Sequence, residues 1–209
     1  MTLGIIGVVA ALTMPTLISN YKKQEIAARV KTFYSVISQA IQMSEIDNGP
    51  SREWIKEQQI VGDEPANNRN KALTYFNRYL KAYIKYLKID ENPVEIQDEE
   101  GQADMIKVYL PNGTYFYFNN GTCAHFLFDS NGERKPNSDG RDVFHFLLCP
   151  TNITAYINEN GSNLVPWLTL ARRETREAAL QACKLNAHSC SAILMQDGWE
   201  FKSDYPHKL

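Results

Sequence analysis

Residues 3–23 read "LGIIGVVAALTMPTLISNYKK", and this stretch decides how the rest of the chain is organised. No charged side chain occurs in residues 1–21, and Lys22 and Lys23 then follow together. As a helix, twenty-one residues extend about 31 Å, close to the hydrocarbon thickness of a bilayer. A cleaved secretory signal would need a basic flank, and a buried core helix would show polar positions along one side. We therefore predict a membrane-spanning helix over residues 1–21.

Residues 22–48 continue the same helix with a different surface. Charged and amide side chains now alternate with apolar residues at helical spacing. The apolar residues are Ile26, Val30, Phe33, Tyr34, Ile37, Ala40 and Ile41. Asn48-Gly49-Pro50 is a stop signal. The sequence predicts one long helix, apolar first and amphipathic afterwards, with a bend at Pro15.

Residues 49–104 are predicted to form a helical insertion and an acidic loop. Apolar residues between Leu73 and Leu87 recur at helical spacing and predict a second helix. Seven acidic side chains fall within residues 90–104. A run of this kind is typical of a solvated loop, and a dedicated acidic binding surface is the alternative.

Residues 105–209 are predicted to form a β-rich globular domain with a C-terminal helix and strand. Two Asn-Gly pairs separate β-rich runs and indicate hairpins in an antiparallel meander. The predicted strands cover residues 105–110, 114–118, 122–128 and 143–148. A helix over residues 168–185 and a strand over residues 191–195 complete the prediction. A long helix followed by a sheet belongs to the α+β class.

The stretch from Thr2 to Ala11 resembles the second half of the N-terminal signature of type IV pilins and type II secretion pseudopilins. Pro15 stands where these proteins carry a helix-kinking proline. The segments "FDSNGERKPNSDGRDVFHFLL" (residues 128–148) and "CSAILMQDGWEFKSDYP" (residues 190–206) resemble a bacterial subgroup of them. The family's basic leader, cleavage-site glycine, methylated phenylalanine and early glutamate do not occur in this sequence. Processing by a prepilin peptidase is therefore expected only if a leader lies upstream.

The resemblance implies a pilin-like fold and a structural rather than enzymatic role. It implies a single-pass protein of the bacterial inner membrane with its globular domain outside the cytoplasm. Its partners would be other pilin or pseudopilin subunits, the inner-membrane assembly platform and membrane lipid. Close helix approach in the filament core would use the small residues Gly4, Gly7, Ala10 and Ala11. The alternative is a tethered extracytoplasmic binding protein or enzyme that uses the helix only as an anchor.

Bulk composition and motifs exclude several other classes. The formal net charge is −2, and no basic stripe indicates a nucleic-acid partner. Neither a nucleophile elbow, a zinc-protease motif nor a phosphate-binding glycine loop occurs in the sequence. His125 and His145 lie on predicted strands near each other, and we interpret them as ordinary sheet histidines. The sequence therefore predicts no enzyme.

Four cysteines, an even number, lie in the predicted globular part. Their spacing does not fit a four-cysteine zinc site or a Cys-x-x-Cys redox motif. We predict a disulfide between Cys183 and Cys190, which are close in sequence across a helix end, and one between Cys123 and Cys149 by default. Free buried thiols are the alternative.

Residues 129–142 contain a candidate cation-binding loop. Four side chains with carboxylate or amide oxygens cluster around two glycines. They are Asp129, Asn131, Asp139 and Asp142. Calcium prefers several oxygen ligands on a turn, and major pseudopilins bind calcium in a comparable loop. A plain Asx turn explains the same residues without a metal.

Overall fold

The computed structural model describes residues 2–97, 101–150 and 164–209, with the backbone alone described for residues 2–13, 16, 170 and 171. Helices are α1 (Thr2–Asn48), α2 (Pro65–Tyr79), α3 (Leu170–Arg173), α4 (Arg176–Leu185) and α5 (Cys190–Gln196). Strands are β1 (Lys88–Asp90), β2 (Ile106–Tyr109), β3 (Tyr115–Asn120), β4 (Ala124–Asp129), β5 (Val143–Leu148) and β6 (Leu164–Pro166). The predicted α+β class is confirmed.

Helix α1 is continuous through Pro15 and its C-terminal half packs on the sheet. Among the described side chains of α1, five are buried in the main core, at the three-to-four-residue spacing of one helix face. They are Val30, Phe33, Ile37, Ala40 and Ile41. The predicted amphipathic segment is thus the part of α1 that builds the core.

The six strands form an antiparallel meander in the order β1-β2-β3-β4-β5-β6. The four predicted strands are present within a few residues of their predicted ends, and β5 matches its prediction at both ends. Three-residue strands β1 and β6 at the two edges of the sheet were not predicted. The hairpin between β2 and β3 pairs Val108 with Phe116 and Lys107 with Tyr117.

Strand alternation gives the sheet two different faces. The inner face, toward α1, carries the fully buried rings of Phe116, Phe118, Phe126, Phe128, Phe144 and Phe146. Phe33 of α1 stacks on Phe128 with ring centroids 4.1 Å apart. The outer face carries the alternate residues of the same strands, including Lys107, Asp129 and His145, which are buried as well.

Three helix or strand predictions are corrected by the structure. Helix α2 begins at Pro65, because proline favours the first helical position, and it ends at Tyr79 rather than near Leu87. Leu80 and Ile84 nevertheless reach the main core from the turn that follows α2. The predicted helix over residues 168–185 is divided into α3 and α4, since Thr175 caps a new helix by accepting a hydrogen bond from the Ala178 amide.

The predicted strand over residues 191–195 is wrong, because this segment lies within helix α5. A short apolar run does not distinguish a strand from a buried helix by periodicity. Here the chain turns after α4, and the Cys183–Cys190 disulfide joins the two helices. Ala192, Ile193 and Leu194 are buried by this arrangement.

Candidate functional site

The N-terminal part of α1 projects beyond the globular domain. Among the described side chains of α1, Ala27 is the first that is buried. Before it, several large apolar side chains are exposed to solvent over more than half of their surface. They are Met14, Leu17, Ile18 and Tyr21. A contiguous apolar surface of this kind is typical of a contact with a membrane or another protein.

In the part of the chain whose side chains are described, no helix is long and apolar enough to span a bilayer. The predicted span over residues 1–21 lies largely outside this part. The predicted filament-core residues Gly4, Gly7, Ala10 and Ala11 lie on α1, and their side chains fall outside the described residues. Pro15 is exposed on the projecting part of the helix.

The predicted calcium loop is held together by its own hydrogen bonds. Asp142 accepts from the backbone amides of Asn137 and Ser138, at 3.0 and 2.6 Å, and from the side-chain amide of Asn131 at 2.6 Å. Asp129 accepts from the Asn131 amide at 3.0 Å and from the Tyr115 hydroxyl at 3.1 Å. Burial raises the pKa of Asp129 to about 7. Aspartate side chains that accept hydrogen bonds from nearby backbone amides are typical of Asx turns, which is the interpretation without a metal.

Asp139, the fourth residue of the predicted calcium set, contacts two histidines. Its Oδ1 lies 2.5 Å from Nε2 of His145, and its Oδ2 lies 3.0 Å from Nε2 of His188. The two imidazole rings stack with centroids 4.3 Å apart. The structure therefore brings Asp129, Asn131 and Asp142 together through hydrogen bonds and places the Asp139 carboxylate between histidines.

A third histidine extends this cluster along the sheet. His125 of β4 and His145 of β5 are neighbours across the outer face, and Nε2 of His125 lies 3.0 Å from Nδ1 of His145. Burial lowers the pKa of His125 to about 3 and also lowers the pKa of His145. Both rings are therefore neutral near pH 7. We call Asp139, His125, His145 and His188 the histidine–aspartate cluster.

The carboxylate of the histidine–aspartate cluster is held in its ionised form. Burial opposes the ionised form of Asp139, but its hydrogen bonds and charge interactions with His145 and His188 outweigh burial and lower its pKa. The ring of Trp167 contacts His188 edge-on, with centroids 5.4 Å apart. An ionised carboxylate facing two ring nitrogens is chemically suited to proton sharing or to metal coordination.

A second buried charge lies elsewhere on the outer face. The side chain of Lys107 is fully buried, and its Nζ lies 2.8 Å from Glu95 and 2.7 Å from Glu133. The rings of Tyr109, Tyr115 and Tyr117 surround the ammonium group, with the nearest centroid 4.0 Å away. Burial disfavours the charged form, but the two carboxylates outweigh it and raise the pKa of Lys107. Glu95, from the predicted solvated acidic run, thus has a structural partner.

Both predicted cysteine pairings are present. The Cys123–Cys149 disulfide closes the open end of the β4–β5 hairpin, where β4 begins and β5 ends. The Cys183–Cys190 disulfide joins α4 to α5. No free cysteine occurs among the described residues, so the free-thiol alternative is wrong. Stable disulfides are typical of oxidising compartments and favour a location outside the cytoplasm.

These features define a disulfide-bonded α+β domain carried on a long N-terminal helix that exposes an apolar surface. The chain belongs to a family of unknown function, DUF6613, whose model matches residues 16–209. The comparison with curated proteins and the comparison with solved structures each gave no match. The matched family has no assigned function.

The sequence interpretation missed two parts of the outer face. It did not include His188 with the other histidines, because residue 188 lies far along the chain from β5. It did not single out Lys107, because a charge at an alternate strand position is typical of a solvated face. Both residues acquire their partners only through the topology of the sheet and the packing of the C-terminal helices.

Proposed function

We propose that the protein is a pilin-like structural subunit of a type II secretion pseudopilus or type IV pilus, and that it assembles through α1. The proposal rests chiefly on one observation. A single uninterrupted helix builds the core with its C-terminal half and projects an exposed apolar surface with its N-terminal half. In such a fold, the globular domain stays fixed on the C-terminal half of α1 while the projecting N-terminal half packs against other subunits or lipid.

The continuity of α1 argues for a shared assembly element rather than a simple tether. A tethered domain usually follows a flexible polar linker that leaves its orientation free. In this protein the projecting part is rigidly connected to the core through the same helix. Arg29 secures the junction, donating to the Ser130 carbonyl at 2.8 Å and pairing with Glu25 at 2.7 Å. Movement of α1 in a filament is therefore transmitted directly to the domain.

The proposed partners follow from the chemistry of the projecting surface. Other pilin-like subunits and membrane lipid are suited to cover Met14, Leu17 and Ile18, which are apolar and exposed. Before assembly, the protein would reside in the inner membrane beside the assembly platform, with its disulfide-bonded domain outside the cytoplasm. A prepilin peptidase belongs among the partners only if a leader precedes this sequence.

A matched pair of substitutions tests the proposal. Leu17 on the projecting helix and Leu87 on the globular domain are 70% and 67% exposed, so both tolerate aspartate equally well in the isolated fold. We expect Leu17→Asp to abolish incorporation into sheared filaments, because an unpaired charge would enter an apolar core. Leu87→Asp should assemble like the wild type. Both variants and the wild type are expressed in a host with the matching assembly machinery.

Two outcomes would contradict this function. Filament incorporation of Leu17→Asp at the wild-type level would show that the projecting surface is not an assembly surface. Membrane fractionation of the wild type without any sheared filament would favour the tethered binding protein or enzyme. Circular dichroism of each variant verifies that loss of assembly is not loss of folding.

A further inference from the structure

We infer that the histidine–aspartate cluster is a zinc site, in which Asp139, His145 and His188 each contribute one ligand to a single Zn²⁺ ion. This inference goes beyond the proposed structural role and does not depend on it. The ligand atoms of these three side chains all lie within 4.8 Å of one another. Two imidazole nitrogens and one carboxylate oxygen are a ligand set that zinc binds with the fourth position open.

The geometry needs only small adjustments to accept the ion. Nε2 of His145 and Nε2 of His188 both face the Asp139 carboxylate, at 2.5 and 3.0 Å. Zinc–ligand bonds of 2.0–2.1 Å in a tetrahedral arrangement place neighbouring ligand atoms about 3.3 Å apart. The carboxylate would thus move outward by roughly the difference, and the two stacked imidazole rings, whose planes are 20° apart, would turn so that each Nε2 lone pair points at the ion.

A further histidine supplies the support that metal-bound histidines usually have. With Nε2 of His145 on the metal, its Nδ1 carries the proton and donates to Nε2 of His125, which lies 3.0 Å away. This partner fixes the tautomer and the ring orientation of a ligating histidine.

The three ligands come from three separately held elements. His145 is on β5, and His188 is on the turn between α4 and α5 that the Cys183–Cys190 disulfide closes. Asp139 is on a loop held by the Asp142 carboxylate. Gly140 allows this loop to lie close to the disulfide, since a Cβ at this position would be 2.9 Å from Cys190 Sγ. The site is therefore largely formed before the ion arrives.

The site is also open to solvent on one side. The Asp139 and His188 side chains are 37% and 42% exposed, whereas His145 is buried. An ion can thus enter from the Asp139–His188 side and keep a water molecule as its fourth ligand. The described residues include one other close group of potential ligands, Cys183, Cys190 and His207, but its sulfur atoms are joined in a disulfide.

The test is zinc binding by the purified, chelator-treated full chain with its disulfides intact. We expect one Zn²⁺ per chain by equilibrium dialysis and elemental analysis, and a higher thermal unfolding temperature with zinc. His188→Gln should weaken binding by at least about tenfold and remove the thermal shift. His207→Gln, which removes a histidine outside the cluster, should bind like the wild type.

Further variants distinguish the loss of a zinc ligand from the loss of folding, and zinc binding from calcium binding. Asp139→Asn should also lose zinc, and His125→Ala should weaken it about 10- to 100-fold through the lost support of His145. Equal zinc retention in His188→Gln and His207→Gln would overturn the inference. The inference would also be overturned if the protein bound Ca²⁺ more tightly than Zn²⁺, and if Asp139→Asn abolished Ca²⁺ binding while His188→Gln retained it.

Discussion

Both faces of the sheet contain buried side chains, but the inner face buries aromatic rings, whereas the outer face is only partly covered and buries charged and polar groups among its apolar residues. The inner face presents phenylalanine rings to α1, and Phe33 sits among four of them. The outer face encloses Lys107, Asp129 and His145, and each has hydrogen-bonding or charged partners. An apolar face is stabilised by burial itself, whereas buried polar groups are tolerated only with their partners in place.

The largest effect is expected on the inner face. Phe33→Ala should lower the free energy of unfolding by about 3–5 kcal/mol, because it removes a ring from the centre of the core. Val36→Ala on the exposed side of the same helix should change it by less than about 1 kcal/mol. Urea unfolding monitored by tryptophan fluorescence measures both. Similar losses in the two variants would show that α1 does not pack on the sheet in solution.

Much of the inner face could be predicted because its signals are local. Alternating apolar residues within β3, β4 and β5 indicated strands, and the helical spacing around Phe33 and Ile37 indicated the buried side of α1. Both patterns follow the repeat of the backbone, two residues in a strand and about 3.6 in a helix, so a short window of sequence is enough to recognise them. The three-residue strands β1 and β6 are too short to carry such a pattern.

The outer face could not be predicted in the same way. Lys107 meets Glu95 and Glu133 from two different loops, and His188 reaches Asp139 and His145 only after the chain has passed β6. No local pattern contains such pairs, since the topology creates them. The same reason accounts for α5, because its short apolar run fits a strand as well as a helix, and only its packing beside α4 distinguishes the two. The cysteine pairing itself could be predicted.

A second effect is expected from the buried carboxyl group of Asp129. In the folded protein its pKa is raised to about 7, whereas an unfolded aspartate has a pKa near 3.9. The folded state therefore holds a proton that the unfolded state releases between these values. Its contribution to stability is present below about pH 4 and is lost as the pH rises through about 7. Each pH unit in this interval corresponds to about 1.4 kcal/mol, so a loss of roughly 2–4 kcal/mol is expected.

Substitution of Asp129 isolates this contribution. Asp129→Asn keeps a neutral oxygen acceptor for Asn131 and should flatten the fall of the unfolding free energy between pH 5 and pH 8. Glu91→Gln, which removes an exposed acidic side chain, should retain the wild-type slope. Urea unfolding at several pH values gives the three curves. A wild-type slope in Asp129→Asn would mean that Asp129 is ionised in the folded protein.

A third effect on stability is expected from the Cys183–Cys190 disulfide, which lies next to the loop that carries Asp139. Cys183 and Cys190 are seven residues apart, so replacing both with serine should cost about 2–3 kcal/mol through the entropy of the unfolded chain. Replacing Cys123 and Cys149, 26 residues apart, should cost slightly more because the closed loop is longer. Thermal and urea unfolding measure both double variants. A larger loss from the shorter loop would indicate that α4 and α5 depend on it for their packing.

The smallest effect is expected at Lys107. Its carboxylate partners are 48% and 59% exposed, so they regain water when the ammonium group is removed. Loss of the charge should therefore cost less than the 3–5 kcal/mol typical of a fully buried pair. Lys107→Met retains the volume that fills the space between the tyrosines and should cost about 1 kcal/mol. Lys107→Ala also leaves a cavity and should cost about 2 kcal/mol.

The comparison between the two Lys107 variants separates packing from charge. Lys88 places its Nζ 4.2 Å from the Tyr109 ring centroid but is exposed, so Lys88→Met should be nearly neutral. Urea unfolding at low and high salt measures all three variants. If Lys107→Met is as destabilising as Lys107→Ala, the charge dominates and the outer face depends on its ion pairs. If Lys107→Met is as stable as the wild type, the charge contributes nothing measurable, and the outer face is held by packing alone, as the inner face is.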